Sequence, residues 1–208
     1  MFFTQQLKTI AAALTLGLAA TAASAANFSF SGNFEHDNDV QLFSFTVSAL
    51  TSVSLRSWSY AGGTNAAGTE IASGGFDPVL NLFDATGQQL GKQDDAECSL
   101  VAADPTSEQC WDTFYITELA AGTYTASLQQ YKNFAIGSNL ADGFAMDGVA
   151  HQNFRNGFVD YAGYKRDAHW AFDILNVDSA VQVAEPESLA LVGLGLFAMV
   201  ALRRRRQT

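Results

Sequence analysis

The chain has 208 residues, 48% of them hydrophobic and 15% charged, with 21 acidic against 11 basic side chains, a formal net charge of −10 and two cysteines. An acidic surface repels nucleic acid and anionic lipid and attracts cations, so a nucleic-acid partner is disfavoured. Four of the basic residues stand together at 203–206, which makes the rest of the chain more acidic still: residues 26–184 hold 19 acids and 6 bases, a balance of −13.

Met1 to Lys8 carries one cation and no acid, and an uncharged run of small and apolar residues, 9–22, comes next. These are the n-region and h-region of a secretory signal, and Ala23-Ser24-Ala25 supplies the small residues that a signal peptidase accommodates, with cleavage between Ala25 and Ala26. The run falls short of the ~20 apolar residues of a membrane span. Residues 1–25 are therefore expected to be a signal peptide, and 26–182 a single domain, long enough to bury a core of its own.

Within that domain, short runs of alternating apolar and polar residues are separated by Gly, Asn, Asp and Ser, the pattern of half-buried antiparallel strands. Phe28 and Phe30 alternate with Ser29 and Ser31, and Phe43, Phe45 and Val47 alternate with Ser44 and Thr46 inside a strand predicted over 40–47. Val53 and Leu55 continue the pattern; the denser run 79–83 reads as a central strand closed by a turn at Asp84-Ala85-Thr86-Gly87. Phe114 and Ile116, then Thr123 to Leu128, are expected to form a hairpin about Ala121-Gly122. The last predicted strand, 168–177, sets Trp170, Phe172 and Ile174 on one face and His169, Ala171 and Asp173 on the other. Many short strands with turns between them predict an all-β antiparallel sandwich of two facing sheets.

Two stretches, 61–75, rich in Gly, Ala and Thr, and 133–164, rich in Gly, Asn and Phe, are expected to be long surface loops. Cys98 and Cys110 lie close together in an exported chain with too few Cys and His for a metal pair, which predicts a disulfide around Asp104-Pro105.

Three segments in order, Asp37-Asn38-Asp39-Val40-Gln41-Leu42-Phe43-Ser44-Phe45, Phe76-Asp77-Pro78-Val79-Leu80-Asn81-Leu82-Phe83-Asp84 and Leu119-Ala120-Ala121-Gly122-Thr123-Tyr124-Thr125, resemble bacterial pre-peptidase C-terminal (PPC-like) domains. The resemblance implies a jelly-roll-like β-sandwich that serves as an accessory or binding module on exported proteins. The long stretch 133–164 departs from the compact family pattern.

Nothing marks an enzyme. None of His36, His151 and His169 stands in a spacing that defines a nucleophile and base, and no nucleophile elbow, His-Glu-x-x-His or phosphate loop is present. Cation binding is the stronger chemical expectation, since calcium takes six to eight oxygens and the chain offers Asp37, Asp39, Asp77, Asp94 and Asp95 near predicted strand ends. The competing explanation is that each acid serves its own turn.

At the far end Glu185-Pro186 precedes an apolar run over 189–202 and then Arg203, Arg204, Arg205 and Arg206. As a helix that run reaches roughly 21 Å against a hydrocarbon core of ~30 Å, and the arginines would hold its end on the cytoplasmic side. The three-part stretch 183–208 resembles the PEP-CTERM sorting signal, with Ala184 in place of the first proline of Pro-Glu-Pro. The resemblance implies an exosortase as processing partner, membrane attachment through a short hydrophobic helix before processing, and delivery to the cell envelope or extracellular matrix. The function expected is that of a non-catalytic surface or matrix component, binding exopolysaccharide through loops and exposed aromatics around Trp58, Tyr60 and Tyr131. Two alternatives stay open: a hydrolase of extracellular polymer, needing paired carboxylates in a cleft, and a periplasmic small-ligand binder, needing one deep apolar pocket.

Overall fold

The structure is a computed structural model that describes residues 25–149 and 152–183. The signal segment before Ala25, His151, Glu185, Pro186, the 189–202 run expected to be a helix, and Arg203 to Arg206 lie outside the described residues. Among the described residues no helix is long and apolar enough to cross a membrane.

Two antiparallel sheets face each other. One has four strands in the order β1-β12-β3-β8, built from β1 (Ala26–Asn33), β3 (Thr51–Ser57), β8 (Phe114–Leu119) and β12 (His169–Val177). The other has five, β13-β2-β9-β6-β7, built from β2 (Val40–Val47), β6 (Pro78–Phe83), β7 (Gln89–Gln93), β9 (Gly122–Gln130) and β13 (Ser179–Val183). Two short ribbons, β4 (Gly63–Thr64) with β5 (Glu70–Ile71) and β10 (Phe158–Val159) with β11 (Lys165–Arg166), sit in the long connections.

The alternation in sequence becomes the two sides of each sheet. Phe43, Phe45 and Val47 of β2 and Leu80 and Leu82 of β6 point inward to meet Val53, Leu55, Phe172 and Ile174 of the opposite sheet. The Phe43 ring lies 4.9 Å from Phe172 and 5.7 Å from Trp170, so the sheets interlock through aromatic rings. Every residue of β6 is buried, because its outer face is covered too. The segment after β9 crosses that sheet: the Gln89 amide donates to the Ser138 carbonyl and the Leu140 amide to the Gly87 carbonyl, and Leu140 and Phe144 face Val40 and Leu42 across a groove. The stretch 133–164, expected as a surface loop, is thus partly a cover for the five-stranded sheet.

Three expectations need correction. The hairpin of β8 with β9 does not form, since β8 pairs with β3 and β9 pairs with β2 and β6. The chain changes sheets at Ala120-Ala121, and the Tyr124 hydroxyl fixes this corner by donating to the Ala120 carbonyl at 2.9 Å. The strand over 168–177 is also not the last, because β13 comes after it and pairs with β2. Finally, Tyr60 is not an exposed aromatic: it is fully buried, and Trp58 is half-buried under the Arg56 guanidinium, 3.8 Å from its ring.

The cause of that last correction is a pair of buried carboxylates that tie the 58–75 connection to the four-stranded sheet. Asp112 accepts from Ser57 Oγ at 2.7 Å and from the backbone amides of Tyr60 and Ala61. Asp173, on the outward side of β12 as expected, accepts from Trp58 Nε1 at 2.8 Å, from the Ala66 amide and from Ser29 Oγ. Gly75 closes the same connection against Ser59 O, where a Cβ would lie 2.4 Å from the His169 carbonyl oxygen.

Strand directions give the sandwich two unlike ends. Short turns gather at one, between β2 and β3, β6 and β7, and β8 and β9. The long connections, including 58–77, 94–113 and 131–168, leave from the other, the loop end. Ala26 starts β1 opposite Val177 at the turn end, whereas β13 runs from Ser179 opposite Thr46 to Val183 opposite Leu42, toward the loop end. The chain therefore leaves the domain toward its long loops.

Candidate functional site

At the loop end the connections enclose a cavity of about 280 Å³. Its wall includes Asp37 and Asp77, the amide side chains of Gln130 and Gln152, and the rings of Tyr131 and Tyr161. Tyr131 and Tyr161 stand 5.8 Å apart, and Lys132 Nζ lies 4.5 Å over the Tyr161 ring. Tyr161 is 74% exposed, an unusual position for a large ring and one that offers a face to a ligand.

Asp77, immediately before β6, forms part of this wall and also belongs to a second cluster. Oxygens of Asp77, Asp94 and Asp95 all lie within 4.8 Å of one another. Two short pieces of backbone bring them there: Asp94-Asp95 leaves β7 beside the start of β6, because Gln93 pairs with Leu80. The Asp77 carbonyl accepts the Tyr131 amide at 2.8 Å, which links the cluster to the aromatic wall. Burial, with the charges of Asp95 and Asp94 added, pushes the Asp77 carboxyl up to about 9, and burial followed by Asp94 pushes Asp95 up to about 6. Asp94 is raised by burial, against a smaller opposing effect of Lys92.

Of the five acids expected to bind a cation, the structure gathers three. Asp37 is buried in the wall of the same cavity, apart from the group of three. Asp39 is committed to its own turn, its Oδ2 accepting the amides of Glu35 and His36. The Asp84 turn closes in the same local way, through the Thr86 and Gln88 amides.

The predicted disulfide between Cys98 and Cys110 is formed, with Cα atoms 5.2 Å apart. Its loop is locked to the cavity by Arg166, whose side chain is 1% exposed. Arg166 Nε donates to Asp160 Oδ2 at 2.8 Å and Nη2 to Asp104 Oδ2 at 3.1 Å, with the guanidinium 3.7 Å over the Tyr60 ring. Burial raises the Asp104 carboxyl, but the donors on Arg166 and Ser107 outweigh it and hold the group below the usual carboxylate range. Asp160, Tyr161 and Arg166 did not stand out in sequence. A usable signal was the turn at Asp160-Tyr161-Ala162-Gly163, closed by Gly163 N to Asp160 O.

The other large concavity, about 620 Å³, is the groove between Val40 and Leu42 on β2 and Leu140 and Phe144 of the covering segment. Beside it, Gln41 Nε2 donates to the Val183 carbonyl at 3.0 Å and its Oε1 accepts from Gln182 Nε2 at 2.6 Å, clamping the end of β13.

The segment beyond β13 decides how this domain is handled by the cell. Residues 182–206 match the family model of the PEP-CTERM protein-sorting motif. The match begins at Gln182, so the sorting signal overlaps the last two residues of the final strand. It identifies an exported protein that an exosortase sorts toward the cell envelope or the extracellular space. No curated protein matches the chain.

Proposed function

We propose that the mature domain is a non-catalytic envelope or matrix component that binds exopolysaccharide in the loop-end cavity. The observation that carries this reading is the exposed ring of Tyr161 beside the half-buried ring of Tyr131, over a wall that includes carboxylates and amides. A sugar ring has apolar C–H faces, which stack on aromatic rings, and a rim of hydroxyls, which bond to carboxylates and amides. The cavity is smaller than most sites that engulf a small molecule, which suits one unit of a long polymer better than a free periplasmic ligand.

One observation favours the hydrolase alternative: a carboxyl held protonated near neutral pH, Asp77, stands beside others that ionise more easily. Glycoside hydrolysis needs two carboxyl groups flanking a gap for the scissile bond. Here three oxygens crowd one small volume, an arrangement suited to ligating a cation.

The test is co-sedimentation of the exported protein with extracellular polysaccharide from exosortase-bearing cells. Tyr161→Ala is expected to weaken binding about tenfold, or about 1.4 kcal/mol, while leaving the melting temperature unchanged. Binding that is absent in the unaltered protein, or equal in the variant, removes the reading. Shortening of the polymer during incubation selects the hydrolase instead.

A further inference from the structure

Among the described residues, Lys92 acts on Asp94 without forming an ion pair, and so does not account for the meeting of Asp77, Asp94 and Asp95. No ion pair among the described residues includes any of them. Asp77 is 8% exposed, and among the described residues its Oδ1 and the buried Oδ1 of Asp94 lack a hydrogen-bond partner. A buried oxygen of this kind is costly to leave unsatisfied, and satisfied buried carboxylates elsewhere in this domain, such as Asp112 and Asp173, take three donors each. The buried Asp77 carboxyl contributes one oxygen to the cluster.

The spacing names the class of ligand. Oxygens bound to one calcium ion at roughly 2.3–2.6 Å lie no more than about 5 Å apart, and the three here fall within 4.8 Å of one another. Asp95 is exposed and Asp94 half-buried, which leaves an open side for water to complete a shell of six to eight oxygens. Three carboxyl groups on two loops form a pliable, all-oxygen set, better matched to calcium than to magnesium, which demands a tight octahedron and keeps its own water. Cysteine and histidine are absent from the set, which disfavours the softer transition metals.

We propose that Asp77, Asp94 and Asp95 form a calcium site, and that the site regulates the neighbouring cavity through Asp77, which belongs to both. The second half rests on the polysaccharide reading; the first stands without it. The coupling has a short path, since the Asp77 carbonyl holds the Tyr131 amide and Tyr131 contacts Tyr161. A cation that fixes Asp77 fixes the start of the aromatic wall, and by linkage a polymer bound there tightens the cation equally. Asp37 and Asp39 are outside the ligand set.

The experiment uses the full chain in detergent and calcium as the only added ligand. At about a hundred times its dissociation constant, calcium should raise the melting temperature by roughly 5–10 °C. Asp95→Asn, at an exposed position, and Asp94→Asn should each fold normally and raise the half-saturating calcium concentration at least tenfold. No calcium-dependent shift in the unaltered protein overturns the site, as does an undiminished shift in both variants. Polysaccharide co-sedimentation with calcium and with chelator then tests the coupling. Affinity at least tenfold higher with calcium is expected, and equal affinity overturns it. If the calcium shift is present and no polymer binds in either condition, the cation site stands and the polysaccharide reading fails.

Discussion

Replacing Arg166 with methionine removes a cation that three loops share. Its guanidinium meets Asp160 at 2.8 Å and Asp104 and Ser107 at 3.1 Å, and the Arg166 and Asp104 side chains are each 1% exposed. Methionine would fill much of the space above Tyr60 but leave two buried carboxylates without a counter-ion. Breaking a buried pair in this way costs about 3–5 kcal/mol, far more than a surface pair is worth. For a domain of this size each kcal/mol moves the melting temperature by roughly 2–4 °C, so Arg166→Met should melt about 6–20 °C lower in differential scanning fluorimetry. Adding Asp104→Asn and Asp160→Asn to the same chain should recover part of the loss by removing the unpaired charge. A melting temperature within about 2 °C of the unaltered protein would refute the reasoning, because the pair would then be contributing no more than an exposed one.

The Cys98–Cys110 crosslink, with a sequence separation of 12, should stabilise the chain by about 3 kcal/mol on the loop-entropy model, so the double serine variant should melt roughly 6–12 °C lower. Because Asp77 is held up to about 9, the folded metal-free state keeps a proton that the unfolded chain releases near pH 4. The associated stability is complete below about pH 4 and is lost as pH rises toward 9; urea titrations in chelator should show weaker folding at pH 8 than at pH 5, with much of the difference gone in Asp77→Asn. Substituting alanines at Glu185 and Pro186 should leave a membrane-retained, uncleaved form on gel fractionation, and unchanged processing would remove these two residues from the sorting account.

Much of the sandwich was legible because its strands carry their own pattern. β2, β6 and β12 each show a local alternation or a dense apolar run, and the inward set Trp170, Phe172 and Ile174 is the core set. β7 and β13 escaped because edge strands bury little: β7 offers one leucine in five residues, and Leu90 is 46% exposed. Pairing was illegible where it is non-local. Ala121-Gly122 looks like a hairpin turn, yet the partners of β8 and β9 lie roughly sixty and eighty residues away in sequence, at β3 and β2. The site divided in the same way. Acids near strand ends could be read as candidate ligands, but which three of the five meet depends on the pairing of β6 with β7. Trp58 and Tyr60 resembled surface aromatics because the carboxylates that draw them inward, Asp173 and Asp112, are remote in sequence.

The most direct measurement is the intact mass of the protein recovered from hosts with and without an exosortase. The account predicts an N-terminus at Ala26 in both, and a C-terminus between Val183 and the apolar run only where the enzyme is present, with the released domain keeping β13 whole. A chain that retains Arg203 to Arg206 in both hosts would contradict it, making the tail a plain anchor and the domain a membrane-surface protein.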